Sequence, residues 1–306
     1  MKLFQPSDIP AISDALGRSS KRRSELIAWM ATAANYLGCQ RLPLGRVEEA
    51  FEKLHAAGSI MDDLLDNESF RNGEPTYHRR HSARLAALTS SHLAFESIRD
   101  FLGLGLSGPR VLDRIMALVH SEEADVGVIL KPADYGYLSW YKSVSGRKTA
   151  HELMLLLDIF TTDIPLGNTA ELGKLYASLE TLGLILQMTN DWRDCFEMDP
   201  FYRLNSLDDF VLTFSLPVAV FCEVNENGES VYGRLGHAFD IHEANAIVKK
   251  FTTPSIRAQC RIEIEQQYNA LLAAVESISI PGVSSMSAVA EAAMTGNFWK
   301  HYKHVA

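Results

Sequence analysis

Apolar residues recur with a helical period along almost the whole chain, and this excludes most fold classes at once. Leu26, Met30, Ala33 and Ala34 form one helical stripe, and Leu153, Leu156, Leu157 and Phe160 form another. The segments 45–66, 83–104, 110–130, 147–163, 168–195 and 206–222 all read as helices of core length, whereas strand alternation with hairpin turn signals is nearly missing. Breaks fall at Asn72-Gly73-Glu74-Pro75, Ser107-Gly108-Pro109, Pro165-Leu166-Gly167 and Asn225-Glu226-Asn227-Gly228, where turn chemistry interrupts the period. None of these breaks is long enough to be a domain linker, and no repeat of fixed period is visible. The expectation is an all-α, single-domain helical bundle over residues 1–306.

Bulk composition narrows the partners. The formal charge of −9 argues against a surface built for nucleic acid or for an anionic membrane. No uncharged apolar run reaches the ~18 residues a membrane helix needs, and Met1 to Pro10 carries no apolar core of a secretory signal. Cys39, Cys195, Cys222 and Cys260 are far apart with no C-x-x-C spacing, which reads as buried thiols in a reducing, cytoplasmic compartment.

Two apolar helices, Phe51 to Asp66 and Leu172 to Asp194, each end in clustered carboxylates. Asp62 and Asp66 of Asp62-Asp63-x-x-Asp66 stand at i and i+4 and share a helix face. Asn190 and Asp194 of Asn190-Asp191-x-x-Asp194 repeat that spacing, with Gln187 one turn earlier. Like charges stacked this way repel by a few tenths of a kcal/mol per pair (~0.2–0.5) unless a cation relieves them. Carboxylate oxygens are hard ligands suited to Mg²⁺, which keeps several waters and bridges to phosphate. Two such clusters in a helical bundle can face each other across the mouth of a central apolar cavity. One acidic motif alone is more often a solvated helix end.

The run from His55 through Asp62-Asp63-x-x-Asp66 and Arg71-Asn72-Gly73 to Pro75, Thr76 and His78 resembles the first aspartate-rich region of the trans-isoprenyl diphosphate synthases. That family includes farnesyl and geranylgeranyl diphosphate synthases. Lys148-Thr149-Ala150 is similar to its K-T motif, Gln187 to Asp194 to its second acidic motif, and Phe210 to Pro217 to the following segment. Order and spacing agree from about residue 15 to about residue 220. The resemblance implies an isoprenoid synthase-type bundle that ionises an allylic prenyl diphosphate with Mg²⁺, on the order of three ions per site once diphosphate is bound. It implies Asp62, Asp66 and Asp194 as Mg²⁺ ligands, with Asp63, Asn190 and Asp191 as ligands or supports. Arg71, Lys148, Thr149 and Gln187 would hold the allylic diphosphate, with Asp208 nearby, Arg203 compensating on the same side, and a homodimer as the assembly.

The acceptor side departs from the family pattern. Lys21 and His55 are in place for isopentenyl diphosphate, but Ser24, Asn72 and Thr213 stand where the pattern has arginine, arginine and lysine. Each charge-assisted bond to a diphosphate contributes ~1.5–3 kcal/mol, so losing two costs ~3–6 kcal/mol, or ~10²–10⁴ in affinity. On that ground a prenyltransferase with an acceptor other than isopentenyl diphosphate, for example an aromatic, is the first reading. Alternatives are a chain elongator in which Arg22 or Arg23 restores the contact, a terpene cyclase on the same scaffold, and a non-catalytic partner subunit. Ala57 and Gly58, just before Asp62, are small and leave room for a tail of roughly fifteen or twenty carbons, or else serve tight helix packing. The basic run His78, Arg79, Arg80 and His81 reads as a loop, and Trp192 as a core residue.

Overall fold

The computed structural model describes residues 21–39, 42–71, 74–106, 108–125, 134–162, 168–196, 214–228, 230 and 241–294. In chain order the helices are α1 (Lys21–Tyr36), α2 (Leu44–Leu65), α3 (Tyr77–Arg80), α4 (Ala83–Gly103), α5 (Gly108–Asp125) and α6 (Tyr137–Ser143). They continue as α7 (Lys148–Phe160), α8 (Thr169–Phe196), α9 (Leu216–Val224), α10 (Ile241–Phe251), α11 (Pro254–Glu276) and α12 (Ser285–Met294). The β-structure among these residues is a hairpin of β1 (Phe70–Arg71) and β2 (Glu74–Pro75), registered Phe70 to Pro75 and Arg71 to Glu74. The all-α expectation and most helix positions therefore hold. The basic run reads differently: residues 77–80 form the short helix α3 rather than a loop, with Tyr77 buried against α4 and its hydroxyl 3.1 Å from Thr89 Oγ1.

At the centre lies α7. Its expected stripe is a full cylinder, because every residue from Leu153 to Phe160 is buried. A helix apolar on all sides belongs inside a bundle, and α1, α5 and α8 pack around this one. The exception in its run is Asp158, whose carboxylate accepts from Arg114 Nε of α5 at 2.6 Å and from the Tyr176 hydroxyl of α8. Closest approach occurs where α8 crosses α7: a Cβ on Gly183 would lie 2.3 Å from Ala150 Cα. That contact seats the N-terminus of α7 directly against the turn of α8 that precedes Gln187.

Helices α2 and α4 pair along their length through small residues. Ser97 Oγ donates to Ala50 O at 2.7 Å, Ser90 Oγ donates to Ala57 O at 2.8 Å, and the buried Lys53 ammonium is held by Asp100 at 2.6 Å. Ala57 is thus spent on helix packing. Gly58 is not, since nothing lies within 4 Å of where its Cβ would be. It stands one turn before Asp62 on the same face of α2.

The two glycines make opposite predictions. Gly183→Ala is expected to destabilise the fold by about 2–3 kcal/mol, because backbone rather than a flexible side chain occupies the space. Gly58→Ala is expected to stabilise it by about 0.5–1 kcal/mol through helix propensity alone. Urea denaturation of both variants measures this, and equal midpoints would refute the close approach of α7 and α8.

Candidate active site

The first acidic motif closes α2, and the way that helix ends is what makes it chemically useful. Asn67 takes a left-handed backbone (φ 51°), a conformation asparagine tolerates, and the amides of Asn67 and Glu68 bond back to Leu64 and Asp63 carbonyls at 3.4 and 2.9 Å. The chain therefore doubles back into the β1–β2 hairpin, pinned by Thr76 Oγ1 donating to Glu68 O at 2.6 Å. Arg71 is carried over the motif. Its Nε donates to Asp63 Oδ1 at 2.5 Å and its Nη2 to Asp62 Oδ2 at 2.9 Å.

Opposite Arg71 stands Lys148, the first residue of α7. A cation at a helix N-terminus opposes the helix dipole, so something else must hold it there. Its ammonium lies 3.1 Å from Asp125 Oδ2, 3.3 Å from Asp62 Oδ1 and 3.4 Å from Glu122 Oε2. Glu122 and Asp125 come from the last turn of α5. Burial would lower the Lys148 pKa, but Asp125, Asp62, Glu122 and Asp66 together hold it well above the ordinary lysine value. Burial would raise Asp62, yet Lys148 and Arg71 outweigh it and keep that carboxyl below its usual range. Among the described residues Asp66 has no cation in contact. Burial and the neighbouring Asp62 charge push it up to about 8. Burial, with Asp62 and Asp125, likewise pushes Glu122 up to about 7 against the pull of Lys148.

The second motif closes α8 and is tied by hydrogen bonds to Thr149, the neighbour of Lys148 on α7. Thr149 Oγ1 donates to Gln187 Oε1 at 3.1 Å, and Gln187 Nε2 donates to Asp191 Oδ1 at 2.8 Å. The other oxygen of Asp191 accepts from the Tyr141 hydroxyl at 2.6 Å and from the Leu216 amide at 2.8 Å. Burial and the Asp125 charge push Asp191 up to about 7 despite those donors. Asn190 is half-buried one turn before Asp194.

Comparison with known proteins bears on this arrangement. The polyprenyl synthetase family model matches residues 13–246, a stretch containing both acidic motifs and the Lys148-Thr149 pair. The chain belongs to the polyprenyl synthetase family. Among curated relatives it is 22% identical over 170 residues to fusicoccadiene synthase of Phomopsis amygdali, covering 54% of this chain and 23% of that protein. It is 26% identical over 160 residues to the mitochondrial geranylgeranyl pyrophosphate synthase 6 of Arabidopsis thaliana, covering 47% of this chain and 48% of that one. The matches thus span less than half the length of either curated relative.

Solved structures agree over nearly the full chain. A decaprenyl diphosphate synthase from Rhodobacter capsulatus superposes with TM-score 0.69 at 16% identity, covering 96% of this chain and 92% of its own. A geranylgeranyl pyrophosphate synthase from Corynebacterium glutamicum, complexed with isoprenyl diphosphate and magnesium, gives 0.68 at 16% identity, covering 94% and 91%. At such identities the likeness shows the fold: an all-α bundle of the isoprenoid synthase type.

Within this polyprenyl synthetase fold, Asp62, Asp63, Asp66, Arg71, Lys148, Thr149, Gln187 and Asp191 are linked by contact or by charge across one end of the bundle. His55 lies two turns before Asp62 with its Nδ1 3.3 Å from Glu152 Oε1 of α7. Lys21, Arg22, Arg23 and Ser24 open α1, and their side chains lie outside the described residues, as does that of Asp194. Asn72, Arg203, Asp208 and Thr213 also fall outside. Trp192 is half-buried, packed on Phe196 and capped by the Arg257 guanidinium 5.0 Å from its ring. Cys39, Cys222 and Cys260 are buried, while Cys195 is half-buried.

Glu122, Asp125 and Tyr141 are the residues that sequence reasoning missed. Carboxylates closing an apolar helix were the signal for the two motifs, and Glu122-Glu123-x-Asp125 has it at the end of α5 without the D-D-x-x-D spacing. Among the described residues no three acidic, histidine or cysteine groups converge as a preformed metal cage. The acidic oxygens are grouped around Lys148 and Arg71 instead. Hard donors this crowded, with Asp66 raised by burial and by the Asp62 charge, still suit a divalent ion that retains water and takes part of its shell from phosphate.

No helix among the described residues is long and apolar enough to cross a membrane. The pH behaviour follows from the crowding. Asp66, Glu122 and Asp191 titrate far above their unfolded values, so the folded protein binds more protons than the unfolded chain between about pH 4 and about pH 8. Stability is then highest below their unfolded pKa values and is lost as pH rises through about 7 to 8. Asp62 acts in the opposite sense, only below its ordinary value. Melting temperatures in EDTA are expected to fall from pH 5 to pH 8.5, and with excess Mg²⁺ and pyrophosphate to fall much less. A melting temperature that climbs steadily over that range in EDTA would refute this description of the cluster.

Proposed function

We propose that this chain is a Mg²⁺-dependent prenyl diphosphate synthase that ionises an allylic prenyl diphosphate and passes the prenyl chain to isopentenyl diphosphate. The observation that carries this reading is the meeting of Asp62, Arg71 and Lys148 with the Thr149–Gln187–Asp191 chain at one end of an apolar bundle. Asp62, Asp66, Asn190 and Asp194 would hold Mg²⁺, with Asp63 and Asp191 supporting them. Bound there, the metal would supply positive charge to offset that of the departing pyrophosphate.

The chain's own groups do the rest. Arg71 and Lys148 exchange their carboxylate partners for diphosphate oxygens and orient the C–O bond that breaks. Apolar side chains of the bundle would keep water from the cation. The acceptor expectation changes here. Ser24, Asn72 and Thr213 had favoured a non-diphosphate acceptor, but their side chains lie outside the described residues, and the family match and the plant relative favour elongation. Gly58, open on the Asp62 face, supports a tail that runs past that turn of α2.

Cyclisation is the second reading, favoured by the fusicoccadiene synthase match. Incubation with Mg²⁺ and farnesyl or geranylgeranyl diphosphate, alone, with isopentenyl diphosphate, or with an aromatic acceptor such as an indole, separates the readings. Elongation predicts pyrophosphate release only with isopentenyl diphosphate and a product five carbons longer. Hydrocarbon or terpene alcohol from the allylic diphosphate alone would mean cyclisation, and release only with an aromatic acceptor would restore the earlier expectation. No pyrophosphate release under any condition would refute the enzymatic reading. Lys148→Ala, which removes a charge-assisted contact, is expected to lower kcat/KM by about 10- to 100-fold. Gly58→Phe is expected to shorten the longest product with little change in stability, and an unchanged product length would sink the assignment of Gly58 to the tail.

A further inference from the structure

Tyr141 has no contact that would make it a substrate ligand, yet the architecture around it is unusually specific. Its side chain is fully buried, and its hydroxyl donates to Asp191 Oδ2 at 2.6 Å. The helix it sits on, α6, is anchored at its start by Glu223 of α9, whose Oε2 accepts from the Leu138 amide at 3.1 Å. The opposite end of α9 supplies the Leu216 amide to the same Asp191 oxygen at 2.8 Å. A closed ring of bonds therefore runs from α9 through α6 and Tyr141 to Asp191 of α8 and back to α9.

Room for the phenol is reserved by Gly146, between α6 and α7. A Cβ there would lie 2.9 Å from Tyr141 Cε1, 3.0 Å from its Cζ and 3.0 Å from Leu184 Cδ1. On its other oxygen Asp191 takes Gln187, which takes Thr149, the neighbour of Lys148. The charged groups facing this carboxylate are Asp125 of α5 and Lys148 of α7. Without the phenol, Oδ2 keeps only the Leu216 amide, so Asp191 is held less firmly against the pull of Lys148, and the last turn of α8 loses part of what fixes its distance from the first motif.

We propose that Tyr141 is a positioning residue for the second acidic motif: through Asp191 it sets the spacing at which the two motifs share a Mg²⁺–diphosphate unit. This rests on the function proposed above. Phenylalanine at 141 keeps the ring and removes the donor, while alanine at 146 keeps the donor and displaces it, so the two variants reach the same bond by different routes.

Calorimetric titration of inorganic pyrophosphate into the full chain, at several Mg²⁺ concentrations, tests it beside melting curves in EDTA. Both Tyr141→Phe and Gly146→Ala are expected to weaken Mg²⁺-dependent pyrophosphate binding by about 10-fold and to raise the Mg²⁺ concentration for half-saturation by a similar factor. A purely structural role would lower the EDTA melting temperature and leave both binding readouts of the folded protein unchanged, which would overturn the proposal. Should Tyr141→Phe not fold, Gly146→Ala decides by the same readout. Wild-type protein that binds no pyrophosphate with Mg²⁺ overturns the functional reading and this inference together; wild-type binding with unaltered variants overturns this inference alone.

Discussion

Asp62 and Asp66 at the end of α2 and Glu122 and Asp125 at the end of α5 crowd around the ammonium of Lys148, and the rest of the site is arranged by that imbalance. Charges taken out of water are costly, and attraction repays that cost only where partners are close and well oriented. One ammonium cannot satisfy so many carboxylates. Arg71 takes Asp62 and Asp63 from the other side, while burial and the Asp62 charge raise Asp66 against the more distant pull of Lys148. An arrangement of this kind is unfavourable by itself and becomes favourable when further positive charge arrives. It therefore suits a ligand that brings cations with it.

The scaffold that maintains this strain is apolar and stiff. The buried cylinder of α7 fixes Lys148 and Thr149 at its N-terminus, and its backbone-to-backbone approach to Gly183 of α8 fixes them against Gln187. Since packed helices adopt discrete arrangements rather than sliding freely, the spacing between the two motifs is held by cores far from any charge. Arg71 reaches the first motif by a different device, a left-handed Asn67 and a hairpin that turns the chain back on its own helix end. Buried hydrogen bonds through Tyr141, Asp191 and Leu216 do the same service for the second motif.

Much of this was legible in the linear sequence, for a plain reason. Helical period and i, i+4 spacing are local properties, so the helices, the shared face of Asp62 and Asp66, and the apolar stripe of α7 could be read without tertiary information. Lys148 was found through resemblance rather than through pattern, because nothing local marks a lysine as the centre of a charge cluster. Glu122, Asp125 and Tyr141 were missed. Their importance lies in contacts across 26, 23 and 50 positions of sequence respectively, which only packing creates.

By itself, then, the sequence determined an all-helical chain with carboxylates gathered at the ends of two apolar helices, because propensity and periodicity act over a few residues. Tertiary structure alone decided which cation stands among those carboxylates, which acids are raised and which lowered, and that Ala57 packs while Gly58 stays open. Those outcomes depend on burial and on charges brought together from distant helices. Neither quantity exists until the bundle closes.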